Sequence, residues 1–248
     1  MEVRNIWMPH IPKNGGMTII ENILNYVNDN DNFTVDKKND QFYIVTNNNL
    51  GNVIHLYHKN GLESYMKDWL KILVVRNPLD RLISFFNFNK WLIFKKKGLL
   101  DKRTFSEFLL DSKNKYDKHG FLYCNATSHV KYLNLKNTED TYNPLIDKFT
   151  VENIFNIFDH IIDLSKINKV YKILETNFLE NKITWTIKNN MTIATLNNSQ
   201  KEHQFSTFTR NDVTTEDLEI FYSIEDINLD VNFYDKLKTK YSLHFHNI

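Results

Sequence analysis

The sequence predicts an α/β fold, with one domain over residues 1–248 and a central, mainly parallel sheet flanked by helices. Segments with strand patterns alternate along the chain with segments whose apolar residues recur at helical spacing, which is typical of a parallel α/β sheet. The stretch LKILVVR (70–76) is mostly apolar and ends in an arginine, as buried parallel strands do. No internal repeat and no Pro/Gly/Ser-rich linker interrupts this order, so we expect a single domain.

The predicted strands are short and are separated by polar turns. We expect strands at NIWMPHI (5–11), QFYIVT (41–46), NVIHLYH (52–58), LKILVVR (70–76) and FDHIIDL (158–164). Turns are predicted at VDKKND (35–40) and NNNLGN (47–52), because both stretches are rich in Asn, Asp or Gly. The first strand therefore passes almost directly into the first helix.

The predicted helices begin at recognisable start signals. We expect helices at MTIIENILNYV (17–27), NPLDRLISFFNFNKWLIF (77–94), the residues after Thr104, SKINKVYKILETNF (165–178) and TEDLEIFYSIE (215–225). Asn77 followed by Pro78 predicts an N-cap and a first helical residue. Capping boxes are predicted at Thr104 with Glu107 and at Thr214 with Asp217. The middle of the chain, about 100–140, is expected to be helical.

The composition excludes some functional classes. The 31 basic and 30 acidic residues leave a net charge of +1, which does not favour nucleic acid as a partner. A single cysteine, Cys124, excludes an internal disulfide and a cysteine-rich metal site. The N-terminus has no signal-peptide pattern, and no stretch is long and apolar enough to cross a membrane. We expect a soluble, cytoplasmic protein.

The stretch PKNGG (12–16) places two of the chain's six glycines between a predicted strand and a predicted helix. Such a junction presents backbone N–H groups and the positive end of the helix dipole, and glycines let an anion approach closely. Lys13 adds a mobile positive charge. Because the lysine precedes the glycines, the spacing is not that of the G-x-x-x-x-G-K-[ST] loop, which disfavours an ATP or GTP site. The loop is either a tight turn with a solvated lysine or a site for another phosphate-type anion.

A second strand–helix junction carries a further pair of anion-binding side chains. Arg76 ends the predicted strand, and Ser84 lies eight residues on, two turns into the next helix. The arginine can make a forked contact to a phosphate, and the serine can add a hydroxyl donor. Two such junctions indicate a ligand with two separated anionic groups, bound at the carboxyl edge of the sheet.

These junctions resemble those of a known family. HIPKNGGMTI (10–19) is similar to the HIPKTGGTS-type loop, and VVRNPLDRLISFF (74–86) to the VxRDPxxRxxSxY-type segment, of sulfotransferases that use 3′-phosphoadenosine 5′-phosphosulfate (PAPS). The IPK form with paired glycines resembles the carbohydrate branch, which is heparan 2-O-sulfotransferase-like, more than the cytosolic steroid and phenol enzymes. Looser similarities follow in the family's order at CNATSHVKYL, FDHIIDLSKI, NNSQK and DLEIFYSIEDINLDVNFYDKL.

The resemblance implies a P-loop-like PAPS-dependent sulfotransferase fold and an activity. Sulfate would pass from PAPS to a hydroxyl of an acceptor, an oligosaccharide or glycan, leaving 3′-phosphoadenosine 5′-phosphate (PAP), with no metal required. The donor's 5′-phosphosulfate is implied to contact the loop residues Lys13, Asn14, Gly15, Gly16, Met17 and Thr18. Its 3′-phosphate is implied to contact Arg76 and Ser84, and the late loop is implied to add Ser199 and Lys201. The sequence departs from the family pattern at Asn14 and Met17, where Thr or Ser is usual, so one hydroxyl donor is missing at Met17.

Sulfuryl transfer needs a base to deprotonate the acceptor hydroxyl, and histidine suits this task near neutral pH. The segment NVIHLYHKNGLE (52–63) carries His55 and His58. The 2-O-sulfotransferase branch has His-x-His in this region and a leucine four residues after the second histidine, a spacing that His58 and Leu62 reproduce. His58 is therefore the predicted base and His55 the alternative. Strand alternation places the two on opposite faces, so we expect only one of them to reach the site. Glu63 is a further candidate. Lys13 is expected to stabilise the charge that develops on the leaving oxygen.

Two other functions remain compatible with the sequence. A nucleotide-dependent phosphotransferase would require Mg²⁺ and ATP, but neither a Walker lysine nor a paired-acid metal site is visible. A protein that binds the nucleotide or a glycan without turnover is the other alternative, because Asn14 and Met17 depart from the family pattern.

Overall fold

The computed structural model describes residues 4–11, 13–28, 30–39, 42–57, 64–98, 101–114, 129–133, 149–178 and 207–242. Its strands are β1 (Ile6–Pro9), β2 (Phe33–Asn39), β3 (Phe42–Asn47), β4 (Val53–Tyr57), β5 (Leu70–Val75) and β6 (His160–Asp163). Its helices are α1 (Gly16–Val27), α2 (Pro78–Lys97), α3 (Phe105–Asn114), α4 (His129–Leu133), α5 (Val151–Ile157), α6 (Asn168–Asn177), α7 (Thr215–Ser223) and α8 (Glu225–Ser242). The predicted mixture of strands and helices is confirmed.

The described strands form one sheet in the order β2-β3-β4-β1-β5-β6. The four strands from β4 to β6 run parallel, and β2 and β3 are joined to them by antiparallel pairing. The predicted mainly parallel sheet is therefore confirmed. The carboxyl ends of β1, β5 and β4 meet at one edge, where ligands bind in open α/β sheets.

The chain divides into two compact units, the first comprising residues 1–75 and 132–188. Its core lies between one face of the sheet and the helices α1 and α6. Alternate strand residues such as Ile6, Met8, Ile54 and Leu56 face these helices, as the two-residue period of a strand requires. On the opposite face of β1, the Trp7 indole stacks on Phe158, with ring centroids 5.4 Å apart.

The second unit comprises residues 76–131 and 189–248. Its described part is helical, with a core built largely of aromatic side chains from α2, α3 and α7. Phe86 contacts both Phe105 and Phe108, each with ring centroids 5.3 Å away, a spacing typical of favourable aromatic pairs. The prediction of a single domain over residues 1–248 stays a prediction.

Residues 35–39 of the segment VDKKND, predicted as a turn, belong to strand β2, so this prediction was wrong for them; Asp40 lies outside the described residues. Phe33 pairs with Asn47 and Val35 with Val45 across the antiparallel ladder to β3. Asp36 and Lys37 are exposed, which is tolerated because β2 is an edge strand of the described sheet, where charged side chains are common. The charges that indicated a turn therefore mark the sheet edge.

The predicted helix starts are confirmed by their hydrogen bonds. The Asn77 side chain accepts from the backbone N–H groups of Leu79 and Asp80, at 3.0 and 3.3 Å, and Pro78 is the first residue of α2. Both predicted capping boxes, at the starts of α3 and α7, form in both directions. In the part of the chain that the structure describes, no helix has the length and apolarity to cross a membrane.

Candidate functional site

The loop between β1 and α1 has an unusual backbone. Lys13 has φ of 67° and Gly15 has φ of 77°, so two residues separated only by Asn14 adopt the left-handed conformation. A non-glycine residue in this conformation stores strain, which is commonest at ligand-binding sites. Alternation of left-handed and ordinary residues turns successive N–H groups towards one point, and such concave backbone segments bind anions.

The two adjacent glycines are required for different reasons. At Gly15 the backbone is left-handed, and a β-carbon would lie 2.3 Å from Cδ1 of Leu164, in the turn after β6. At Gly16 a β-carbon would lie 2.1 Å from Cδ2 of His10, whose buried ring packs directly on the start of α1. His10 thus has a packing role. A β-carbon at Gly16 would force the His10 ring to shift, and the left-handed backbone at Gly15 disfavours any side chain there.

Substitution of Gly16 by alanine is expected to destabilise the protein by about 1–3 kcal/mol, because the new methyl group overlaps the His10 ring. Urea denaturation at pH 7 measures the change. In a His10→Ala background the same substitution is expected to cost less than about 1 kcal/mol, because the overlapping ring is gone. An equal cost in both backgrounds would contradict the contact.

Asn14 fixes the loop to the end of a neighbouring strand. Its side chain is 1% exposed, and Nδ2 donates to the backbone oxygen of Val74 in β5, at 2.9 Å. Its backbone N–H donates to the oxygen of Ile11 at 3.2 Å. The side chain points into the interior and holds the loop in place at the carboxyl end of β5.

The first turn of α1, like that of α6, has no side-chain cap hydrogen bond in the part of the chain that the structure describes. No acidic residue lies in the turn that contains Met17 and Thr18. By contrast, side chains cap α2, α5 and α7. An uncapped helix N-terminus carries orphan N–H donors and the positive end of the helix dipole. This end of α1 is suited to bind an anion.

A small cavity of about 10 Å³ lies beneath the loop, lined by residues that include His10, Asn14, Gly16 and Val74. This volume holds about one water molecule. The cavity is therefore far too small to hold a nucleotide.

The second junction follows β5 directly in the chain. Arg76 comes after the last residue of β5, and Ser84 lies two turns into α2; both are partly exposed. The N-terminal amides of α2 already donate to Asn77, and Asp80 places a carboxylate in the first turn. An anion at this junction would thus rely on the side chains of Arg76 and Ser84.

His55 lies in β4, on the face of the sheet opposite Ile54 and Leu56. Its ring packs edge-on against Trp69, with centroids 4.7 Å apart, and lies 6.5 Å from Tyr65. Burial lowers the pKa of His55 to about 4. His55 is therefore neutral at physiological pH but is a weak base.

Four of the candidate residues lie outside the described part of the chain, namely His58, Glu63, Ser199 and Lys201.

One buried cluster was not predicted from the sequence. In the second unit, Arg81 of α2 lies 3.0 Å from the carboxylate of Asp230 in α8, and Nδ1 of His129 lies 2.6 Å from the same oxygen. The other carboxylate oxygen accepts the backbone N–H of His129. Burial lowers the pKa of His129, although the nearby Asp230 opposes this. Arg81 is part of the VVRNPLDRLISFF motif, but no sequence signal indicated that it faces inward.

Among the described residues, no group of three or more His, Cys, Asp or Glu side chains is placed to hold a metal ion.

The model of the sulfotransferase family matches residues 2–229 of the 248. The matched range includes both strand–helix junctions. No curated protein and no solved structure matches the chain.

Proposed function

Because the chain belongs to the sulfotransferase family, we propose that it transfers the sulfuryl group of PAPS to a hydroxyl of a carbohydrate acceptor. Family membership supports sulfuryl transfer in general, and sulfotransferases generally use PAPS. The carbohydrate acceptor rests on the similarity of the IPKNGG loop to the 2-O-sulfotransferase branch.

The observation that carries the proposal is the uncapped start of α1 beside two left-handed loop residues. This backbone suits a phosphosulfate, which offers several oxygens to converging N–H donors. In the proposal Lys13 and the amides of Gly15, Gly16, Met17 and Thr18 hold that group, and Asn14 keeps the loop in place. The hydroxyl missing at Met17 is not needed if backbone donors bind the anion.

Arg76 and Ser84 are proposed to hold the 3′-phosphate. A guanidinium and a hydroxyl together offer charge and directed donors, which is what a terminal phosphate requires. Ser199 and Lys201 are proposed as further contacts to the donor. Binding of both the 5′-phosphosulfate and the 3′-phosphate would let the protein select PAPS over nucleotides that lack a 3′-phosphate.

PAPS supplies a sulfuryl group activated by its bond to phosphate. The proposed base takes the proton of the acceptor hydroxyl as the acceptor oxygen forms its bond to sulfur. The bond between sulfur and the 5′-phosphate oxygen breaks on the opposite side, and the electron pair stays on that oxygen. Lys13 stabilises the negative charge that develops there, and PAP leaves with it.

The pH dependence of turnover separates the two proposed bases. A base must be neutral to accept a proton, so activity falls as pH falls through its pKa. With His55 as the base, we expect kcat to hold until the pH nears about 4, the pKa of His55. A decline of kcat at a pH well above 4 would exclude His55 and favour His58 as the base. The turnover of His58→Ala and of His55→Ala should each be measured. Only replacement of the base is expected to abolish turnover.

Transfer of label from PAPS radiolabelled on sulfur tests the proposal. We expect label in a desulfated heparan oligosaccharide and not in a simple phenol, without added metal. Label found only in the phenol would contradict the carbohydrate acceptor but would still agree with PAPS as the donor. If label stays in PAPS with both acceptors while PAP binds, the protein is a binding protein and the proposed activity is wrong.

A further inference from the structure

The second unit holds a polar stripe along α2 that is partly covered by another segment of the same unit. The stripe consists of Asn77, Asp80, Ser84 and Asn87, whose spacings of three and four residues place them on one face of the helix. At 1.5 Å per residue, Asp80 and Asn87 lie about 10 Å apart along the helix axis, with Ser84 between them.

Asn87 binds the backbone of Phe208 through both ends of its amide. Nδ2 donates to the oxygen of Phe208 at 2.8 Å, and Oδ1 accepts the N–H of Phe208 at 3.0 Å. This pairing fixes the position and the rotation of the backbone at residue 208. The Phe208 ring is held separately, packed against Phe86 and Phe105 with centroids 5.2 and 5.0 Å away.

A second anchor lies two residues further along the same segment. Arg210 donates to Oδ1 of Asn77 at 3.0 Å, and its Nε lies 3.1 Å from the carboxylate of Asp80. Residues 207–210 therefore run along the polar stripe, attached at Asn87 and at the start of α2. Along the polar stripe, Ser84 lies between these two anchor residues.

We propose that Asn87 is a positioning residue that holds residues 207–210 beside Ser84, so that the segment forms one wall of the subsite for the ligand's second anionic group. This inference rests on the proposed function, in which Ser84 contacts the 3′-phosphate. Asn87 does not touch the ligand in this account. It sets the distance between the Ser84 hydroxyl and the wall opposite.

A purely structural role makes a different prediction. If Asn87 only stabilised the fold, its loss would change the affinity for every adenine nucleotide alike or not at all. If it shapes the subsite of the second anion, its loss reduces the preference for PAP over adenosine 5′-monophosphate, which lacks the 3′-phosphate. The ratio of the two affinities is therefore the decisive quantity.

The test is calorimetric titration of PAP and of adenosine 5′-monophosphate into the intact protein and its variants. Ser84→Ala is expected to lower PAP affinity by about tenfold, because a hydrogen bond to a charged group is lost. Asn87→Ala is expected to lower it by a similar factor, because the wall opposite Ser84 loses its attachment at Phe208. In both variants the affinity for adenosine 5′-monophosphate is expected to change by less than about twofold. Asn228→Ala is the matched control, since its amide also donates to a backbone oxygen, that of Tyr222 at 2.8 Å. We expect its affinity ratio to equal that of the unaltered protein.

Asn87→Ala is expected to fold, because the Phe208 ring keeps its aromatic contacts. If it does not, Asn87→Gln, which keeps an uncharged amide but displaces it by one methylene, takes its place. An unchanged affinity ratio in the folded variant, with Ser84→Ala reduced, overturns the role of Asn87 and leaves the proposed function standing. Equal affinity of the unaltered protein for the two nucleotides overturns the proposed 3′-phosphate subsite itself.

Discussion

Replacement of Lys13 by methionine is expected to lower kcat for sulfuryl transfer by about 10²–10³, the usual cost of removing one group that stabilises transition-state charge. Methionine keeps most of the aliphatic stem and meets the same backbone strain at φ of 67°, so the variant isolates the loss of the ammonium group. The charge on the leaving oxygen grows only as the sulfur–oxygen bond breaks. We therefore expect PAP affinity to fall far less than kcat.

Single-turnover assays with labelled PAPS, together with PAP titration, measure the two effects of Lys13→Met separately. Lys172→Met is the control, because Lys172 is an exposed lysine on α6. Retention of kcat within about fivefold in Lys13→Met would remove the lysine from the chemical step, since loss of a working charge costs far more.

Asp230→Ala is expected to have the largest effect on stability, lowering the free energy of unfolding by about 3–5 kcal/mol. The Asp230 carboxylate is the acceptor for both Arg81 and His129, and all three side chains are almost fully buried. Its removal leaves a guanidinium in the interior without this carboxylate, and a buried charge without its counter-ion is costly. The helix α2, which carries Ser84, loses one of its attachments to α8.

Urea denaturation at pH 7 checks the stability prediction. Asp235→Ala is the control, because Asp235 lies on the same helix with an exposed side chain, and we expect a change within about 0.5 kcal/mol. A loss below about 1 kcal/mol in Asp230→Ala would mean that the cluster contributes little, as exposed ion pairs do.

Most of the strands, several of the helices and their starts could be predicted because their signals are local. Asn77 with Pro78, and Thr214 with Asp217, act within one turn of helix, so their residue types are sufficient. The glycine loop was recognisable for a similar reason, because its departure from the Walker spacing is visible in a few residues. The family match over 2–229 agrees with that interpretation.

The features that were missed depend on contacts between distant parts of the chain. Arg81 and Asp230 are 149 residues apart, and Asn14 meets Val74 across 60 residues. Nothing in the sequence around Leu164 or around Gly15 indicates that these two residues are in contact. Strand β2 was missed because its charges follow from its place at the sheet edge, which only the strand order reveals.

The proposed function requires the protein to bind the nucleotide of PAPS. The most direct measurement is the melting temperature with and without saturating PAP, in the absence of metal. Ligand at about 100 times its Kd adds about 2.7 kcal/mol, which predicts a rise of roughly 5–10 °C for a protein of this size. ATP with Mg²⁺ should give a much smaller rise. An unchanged melting temperature at millimolar PAP would contradict the account.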